Sequence, residues 1–118
     1  MIIQDKSKSF AIRVIRFYKY LNNEKNEPAL AKQILRCGTS IGANIAEASN
    51  AQSNKDFLAK LNIALKECSE TKYWLEILSE AEIIGPETFE PLYKDYVEIE
   101  KLLTKSVKTT KKKINYNL

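Results

Sequence analysis

Residues 33–48 read QILRCGTSIGANIAEA, a run in which apolar and polar side chains each recur every three or four positions. This spacing predicts one α-helix with two adjoining faces. The apolar face is predicted to enter the core and consists of Leu30, Ile34, Cys37, Ile41, Ile45 and Ala48. The polar face consists of Gln33, Arg36, Ser40, Asn44 and Glu47. Because solvated helix faces usually carry long Lys and Glu side chains, short Ser and Asn beside one Arg predict a face turned toward the protein or a partner, where it must be hydrogen-bonded.

Two glycines lie four residues apart in this helix, Gly38 and Gly42. Each costs about 1 kcal/mol relative to Ala in a helix interior, so a close contact is expected to compensate. Together with Ala46 they form a narrow strip of small residues that another backbone can approach. Tight packing between helices of one bundle is one interpretation. Contact with another subunit or with a nucleic acid is the alternative.

Four amphipathic helices are predicted to cover most of the chain. The first extends over about residues 5–22 and the second over about residues 27–49. Ser53 and Asp56 resemble a capping box that begins the third helix, and Gly85-Pro86 is predicted to end it. Apolar positions of the third helix alternate spacings of four and three, as in a bundle seam. They are Phe57, Leu61, Ala64, Cys68, Thr71, Leu75 and Leu78.

The fourth helix is predicted to begin near Glu87. Its inward positions are Phe89, Leu92, Tyr96, Ile99, Leu103 and Val107. Short connections between amphipathic helices predict an all-α, antiparallel up-down-up-down four-helix bundle. The bundle domain is predicted over residues 1–110, followed by a basic, frayed C-terminal tail over residues 111–118. The wide apolar faces of the second and third helices exceed what one core absorbs, which favours a homo-oligomer.

Charged residues interrupt an otherwise apolar stripe of the third helix at Glu67 and Glu70. The second helix, its predicted antiparallel neighbour, carries Arg36 on its polar face. We therefore expect Arg36 to pair with Glu67 or Glu70 across the interface between the two helices. Removing one partner of a buried pair costs roughly 3–5 kcal/mol, and of an exposed pair under about 1 kcal/mol.

The composition excludes several classes of function. The chain contains no His, so the usual zinc sites, imidazole bases and Ser-His or Cys-His pairs are absent. No phosphate-binding loop, cofactor motif or small-molecule site is evident. No apolar run approaches the roughly 18 residues of a membrane span, and no signal-peptide pattern is present, so a cytoplasmic, non-membrane protein is expected. Cys37 and Cys68 are interpreted as buried hydrophobes, with a disulfide or redox role as the alternative. A non-enzymatic binding or scaffolding protein is therefore expected.

The net charge of +4 is distributed unevenly. Residues 1–100 contain 13 Lys and Arg against 15 Asp and Glu, whereas residues 101–118 contain six Lys and no acid. The six are Lys101, Lys105, Lys108, Lys111, Lys112 and Lys113. A cationic cluster of this kind can contact nucleic-acid phosphate. The alternative is a solvated helix end whose lysines suit the negative end of the helix dipole.

A family resemblance follows from the motif Arg36-x-x-x-Ser40-Ile41-x-x-Asn44-Ile45-Ala46-Glu47. It is followed by Asp56-Phe57, Lys60-Leu61-x-Ile63-Ala64, Glu67, Glu70, Thr71 and Tyr73-Trp74-Leu75. Over about residues 5–110 the chain resembles the four-helix-bundle proteins encoded in intervening sequences of bacterial 23S rRNA genes, sometimes labelled ribosomal proteins. It is also similar to the accessory variability protein of diversity-generating retroelements.

The resemblance implies a homo-oligomeric, pentameric barrel of bundles without enzymatic activity, associated with RNA or nucleoprotein. It further implies structural or interface roles for Arg36, Gly38, Ser40, Gly42, Asn44, Glu47, Glu67 and Glu70. The leading hypothesis is an oligomer that binds structured RNA or another nucleic acid by charge. The alternative is a protein-interaction scaffold whose partner, such as a nucleic-acid enzyme, contacts the strip of Gly38, Gly42 and Ala46 or a face of the oligomer.

Overall fold

The computed structural model describes residues 2–116, which form four α-helices. These are α1 (Ile2–Asn23), α2 (Pro28–Ala48), α3 (Asn54–Glu80) and α4 (Pro86–Tyr116). Each helix packs on the next and α4 packs on α1, while neither diagonal pair makes close backbone contact within the described residues. The chain is therefore an antiparallel up-down-up-down bundle, as predicted, with extents of 52 × 21 × 21 Å.

The predicted apolar stripes form the core of this bundle. On α2, Ile34, Cys37, Ile41 and Ile45 are fully buried, and most predicted inward positions of α3 and α4 are buried as well. Three predicted core residues are only half-buried at its edge: Leu30, Phe57 and Phe89. Buried polar side chains bond to carbonyl groups of their own helix. Thr71 Oγ1, for example, donates to the Glu67 carbonyl at 2.8 Å. Such bonds leave no core hydroxyl unpaired among residues 2–116, so these side chains cost little there.

The glycine pair of α2 packs against α1. A Cβ atom at Gly38 would lie 2.8 Å from Val14 Cγ1, and one at Gly42 would lie 3.3 Å from the Ser7 carbonyl oxygen. Ala46, the third member of the strip, is exposed. Tight helix packing within one chain therefore accounts for Gly38 and Gly42, of which the first is buried and the second half-buried.

The start of α3 follows the predicted capping pattern. Ser53 Oγ accepts a hydrogen bond from the Asp56 amide at 3.0 Å, which satisfies one of the free donors of the first turn. The Asp56 carboxylate accepts from the Gln52 amide at 3.3 Å. The acid thus bonds to the residue before the N-cap, one position earlier than in the standard capping box.

The prediction that Gly85-Pro86 ends α3 is wrong. The helix ends at Glu80, five residues earlier, and Glu82 has a φ of 60°. This left-handed residue turns the chain back, so that the amides of Ile83 and Ile84 donate to the Leu78 carbonyl at 3.0 and 3.2 Å. Because the turn buries Ile84 in the core, apolar burial offsets the strain of a non-glycine residue at positive φ.

The C-terminal segment is helical further than predicted. The sequence placed the frayed tail at residues 111–118, whereas α4 continues through Tyr116. Lys is a good helix former, and positive charge is favourable near a helix C-terminus, so the lysine cluster extends the helix. Asn117 and Leu118, which belong to the predicted tail, lie outside the described residues.

Candidate functional site

A polar cluster lies on the outer edge of the α2–α3 interface and is centred on Arg36. The Arg36 guanidinium forms an ion pair with Glu70, and its Nη1 lies 3.6 Å from Glu67 Oε2. The predicted pairing is confirmed, with both acids as partners. Trp74 Nε1 donates to Glu70 Oε2 at 3.2 Å, and Arg36 Nη2 donates to Gln33 Oε1 at 3.4 Å. The cluster therefore links α2 to α3 through one guanidinium.

Burial within this cluster is graded. The Arg36 side chain is 52% exposed, Glu70 is 35% exposed and Glu67 is 18% exposed. Glu67 Oε2 is buried and accepts no hydrogen bond within the described part of the chain. Arg36 therefore balances the charge of a carboxylate that water reaches poorly. The arrangement links α2 to α3 by ion pairs and hydrogen bonds.

The remaining motif residues of α2 also contact their own bundle. Ser40 Oγ donates to the Arg36 carbonyl at 2.7 Å, and Asn44 Nδ2 donates to the Ser40 carbonyl at 2.8 Å. Both side chains are half-buried and hydrogen-bonded, as the sequence predicted. Glu47 pairs with Lys60 of α3 at 3.0 Å. The polar stripe thus follows the seam between α2 and α3, while the glycines follow the seam between α2 and α1.

We expect Arg36→Met to lower the free energy of unfolding by about 1–2 kcal/mol. The change keeps the aliphatic stem but removes the cation facing Glu67 and Glu70, and the half-exposed position reduces the cost below that of a fully buried pair. Urea unfolding, followed by the fluorescence of Trp74, measures the loss. The matched control is Arg13→Met, which breaks the exposed Arg13–Asp95 pair and is expected to cost under about 1 kcal/mol. Equal losses in the two variants would contradict the structural role of Arg36.

The two cysteines are free and buried in the core. Burial raises the pKa of the Cys68 thiol to about 12, and burial also raises the pKa of the Cys37 thiol. A thiol with so little thiolate is a weak nucleophile and a weak metal ligand. Both residues therefore pack as small hydrophobes. Across residues 2–116 no group of three or more Cys, Asp or Glu side chains is placed to hold a metal ion.

All six candidate lysines are exposed and lie on the C-terminal half of α4. Four of them line one surface groove of about 490 Å³: Lys101, Lys105, Lys108 and Lys112. Lys113 instead borders a cavity of about 650 Å³ at the end of the bundle, and Lys111 borders neither. The structure therefore groups four of the predicted residues and separates two. Among the described helices, none has both the length and the hydropathy that crossing a membrane requires.

Acids of the preceding part of α4 pair with α1. Lys6 forms an ion pair with Glu98, and Arg13 forms one with Asp95. A hydrogen bond from Lys6, together with its charge, lowers the pKa of Glu98. Within residues 2–116 the four groove lysines have no such partners. The outer face of α4 is consequently neutralised in its middle and cationic at its C-terminal end.

Several of these contacts were not predicted from the sequence. Glu70 with Trp74, and Tyr96 with Glu100, are spaced four residues apart, so helical spacing could have indicated them. Helical spacing could also have shown that the four groove lysines share one face of α4 and that Lys111 and Lys113 do not lie on it. The ion pairs between α1 and α4 depend on which helices are neighbours and on their relative positions along the bundle axis. The local sequence does not indicate either.

The chain is similar in sequence and fold to proteins of one family. The family model described as 23S rRNA-intervening sequence protein matches residues 1–105. The chain is similar to a solved structure from Bacteroides thetaiotaomicron VPI-5482, a protein with unknown function from the S23 ribosomal protein family. Identity is 55%, the TM-score is 0.88, and the alignment covers 90% of this chain and 98% of that chain. Comparison with curated proteins gives no match.

Proposed function

This chain belongs to the 23S rRNA-intervening sequence protein family, and from that premise we propose that it is a non-enzymatic, homo-oligomeric, cytoplasmic protein that binds structured RNA by charge. The observation that carries the proposal is the concentration of six exposed lysines, with no acid after residue 100, on one end of α4. Each phosphate contact made by a lysine releases counterions, and this release supplies most of the affinity in sequence-independent binding.

Exposed apolar side chains support the oligomeric part of the proposal. Ile12 and Ile15 are exposed on α1, and Ile63 and Tyr73 are exposed on α3. Since α1 and α3 are diagonal in the bundle, these exposed apolar side chains lie on different sides of the molecule. Contacts through two different sides can be head-to-tail, and such contacts close into a ring when the rotation between subunits is right. A pentamer, as the resemblance implies, would present the lysine cluster five times and strengthen binding through avidity.

The scaffold alternative has a smaller surface than the sequence suggested. One expected partner site is the strip of Gly38, Gly42 and Ala46, but α1 packs on both glycines, which leaves Gly42 half-buried and only Ala46 exposed. A face of the oligomer remains open to a protein partner. Such a complex would be expected to persist at high salt, whereas phosphate binding would not.

An RNA titration at two salt concentrations tests the proposal. We expect the affinity of the full chain for a structured RNA to fall about 10²–10³-fold between roughly 50 and 200 mM salt. Changing the six lysines of the cluster, from Lys101 to Lys113, to Gln should abolish the binding. The same samples in sedimentation equilibrium should show a pentamer.

The control for this titration is a variant that loses the same amount of charge outside the lysine cluster of α4. It replaces six exposed lysines of the other three helices and their loops with Gln: Lys8, Lys19, Lys25, Lys32, Lys66 and Lys72. This variant should retain most of the affinity. No binding by the full chain at low salt, or equal losses in the two six-lysine variants, would contradict the proposal.

A further inference from the structure

Four lysines form a single row on the outer face of α4. Lys101, Lys105, Lys108 and Lys112 are separated by four, three and four residues, which is the repeat of one helix face. All four are exposed, and they share one groove with Thr104 and Thr109. The core positions of the same helix segment, Leu103 and Val107, are buried. The row therefore points away from the bundle, into solvent.

The length of this row matches a nucleic-acid strand better than a small anion. Eleven residues separate its first and last members, which is about 16 Å at a rise of 1.5 Å per residue. A nucleic-acid duplex carries one phosphate per strand for every 3.4 Å or so of its helix axis, so a surface of this length can contact several phosphates at once. An isolated phosphate or a small carboxylate would reach two of the lysines at most.

Few groups of the chain compete for this row. Within the described residues, none of its four lysines forms an ion pair with an acid. Glu100 is the one acid among the described residues that line the groove. Its carboxylate accepts a hydrogen bond from the hydroxyl of Tyr96, a side chain that is only 1% exposed. The acid is thus held toward the bundle, and the lysines remain available for an external anion.

Lys111 and Lys113 lie off this face. In a helix of 3.6 residues per turn, their positions fall to either side of the row rather than in line with it. Lys113 borders the cavity at the bundle end together with Gln4 and Asn54. These two lysines carry the same charge as the row members but face different surroundings.

We propose that Lys101, Lys105, Lys108 and Lys112 form a continuous contact surface for the phosphate backbone of duplex RNA, with Lys111 and Lys113 outside it. This inference rests on the proposed function and narrows it to one helix face. The described residues that line the groove include no aromatic side chain, so the surface contacts backbone without stacking on bases. Binding is accordingly independent of sequence.

Two double variants of the full chain test the row. Lys105→Gln with Lys108→Gln removes two row members, and Lys111→Gln with Lys113→Gln removes two lysines beside it. Both lose the same charge from the same helix, and Gln has a helix propensity close to that of Lys, so the fold is preserved. The probe is a fluorescein-labelled RNA duplex of about 20 base pairs, titrated over a series of salt concentrations.

We expect the row variant to reduce the slope of log K against log salt by about 1.8, since each lost contact contributes about 0.9. The flanking variant should reduce it by less than about 0.5. At roughly 100 mM salt the row variant should bind at least tenfold more weakly than the unchanged chain, and an unrelated duplex sequence should bind equally well.

The outcomes separate this inference from the proposed function. If the salt slope fell equally in both double variants, or more in the flanking variant, the row would not be the contact surface. Charge-based RNA binding would still stand in that case. Strong preference for one duplex sequence would also overturn it. No RNA binding by the unchanged chain would overturn both proposals. Circular dichroism of each variant checks that the helix content of the chain is unchanged.

Discussion

We expect Gly38→Leu to lower the free energy of unfolding by about 3 kcal/mol. Leu is a far better helix former than Gly, so helix propensity alone would predict stabilisation. The position instead faces α1, where even a Cβ would lie 2.8 Å from Val14 Cγ1 and 2.9 Å from Val14 Cγ2. Val is stiff at χ1 and cannot turn aside, so α1 and α2 must separate, and overpacking of this kind is costly. Urea unfolding at fixed protein concentration measures the change.

Two further variants make the Gly38 result specific. Lys32→Leu adds the same side chain at an exposed position of α2 and should change stability by less than about 0.5 kcal/mol. Val14→Ala makes room opposite Gly38, so in that background Gly38→Leu should cost less than it does alone. A Gly38→Leu protein as stable as the unchanged chain would show that α1 does not approach α2 closely at this point.

We expect both thiols of the folded protein to react at least 10³-fold more slowly with a thiol reagent than those of the unfolded chain. A pKa of about 12 for Cys68 leaves roughly one thiolate in ten thousand near pH 8, and only the thiolate is the nucleophile. Burial in the core also excludes the reagent. The release of colour from a disulfide reagent, with and without guanidinium, follows the reaction directly.

A new cysteine next to Cys68 provides the control. Ser69 is exposed on α3, one residue from Cys68, so Ser69→Cys should add one thiol that reacts quickly in the folded protein. Cys68 and Cys37 should still react only after the protein unfolds. Rapid reaction of two thiols in the unchanged chain would instead reveal an open core, and would restore the redox interpretation that burial argues against.

Both sides of α2 make contacts within the bundle. One side packs its glycines on α1, and the other links Arg36 and Glu47 to acids and a lysine of α3. The conspicuous motif of the sequence therefore holds the bundle together. Substitutions there are expected to affect stability first, whereas substitutions in the lysine row of α4 are expected to affect binding with little change in stability.

Periodicity was sufficient to predict the four helices and most of their buried positions. Apolar residues at helical spacing fall on one face of a helix. The core stripes of α2, α3 and α4 could therefore be predicted without knowing which helices pack against them. The pairing of Arg36 with the acids of α3 was also predictable, because a short loop makes consecutive helices antiparallel neighbours. The lysine cluster followed from composition.

Other features depended on which surfaces meet in the folded chain. The strip of small residues could have faced a helix, a subunit or a nucleic acid, and only the positions of Val14 and Ser7 on α1 decide that its two glycines pack within the chain. The end of α3 was predicted wrongly because burial of Ile84 favours a turn at Glu82, a non-local gain that outweighs the local preference of Gly85 for a cap. The local sequence pattern determines which face of each helix is apolar. Only the tertiary structure decides what covers that face, because the free energy of burial depends on both surfaces that come into contact.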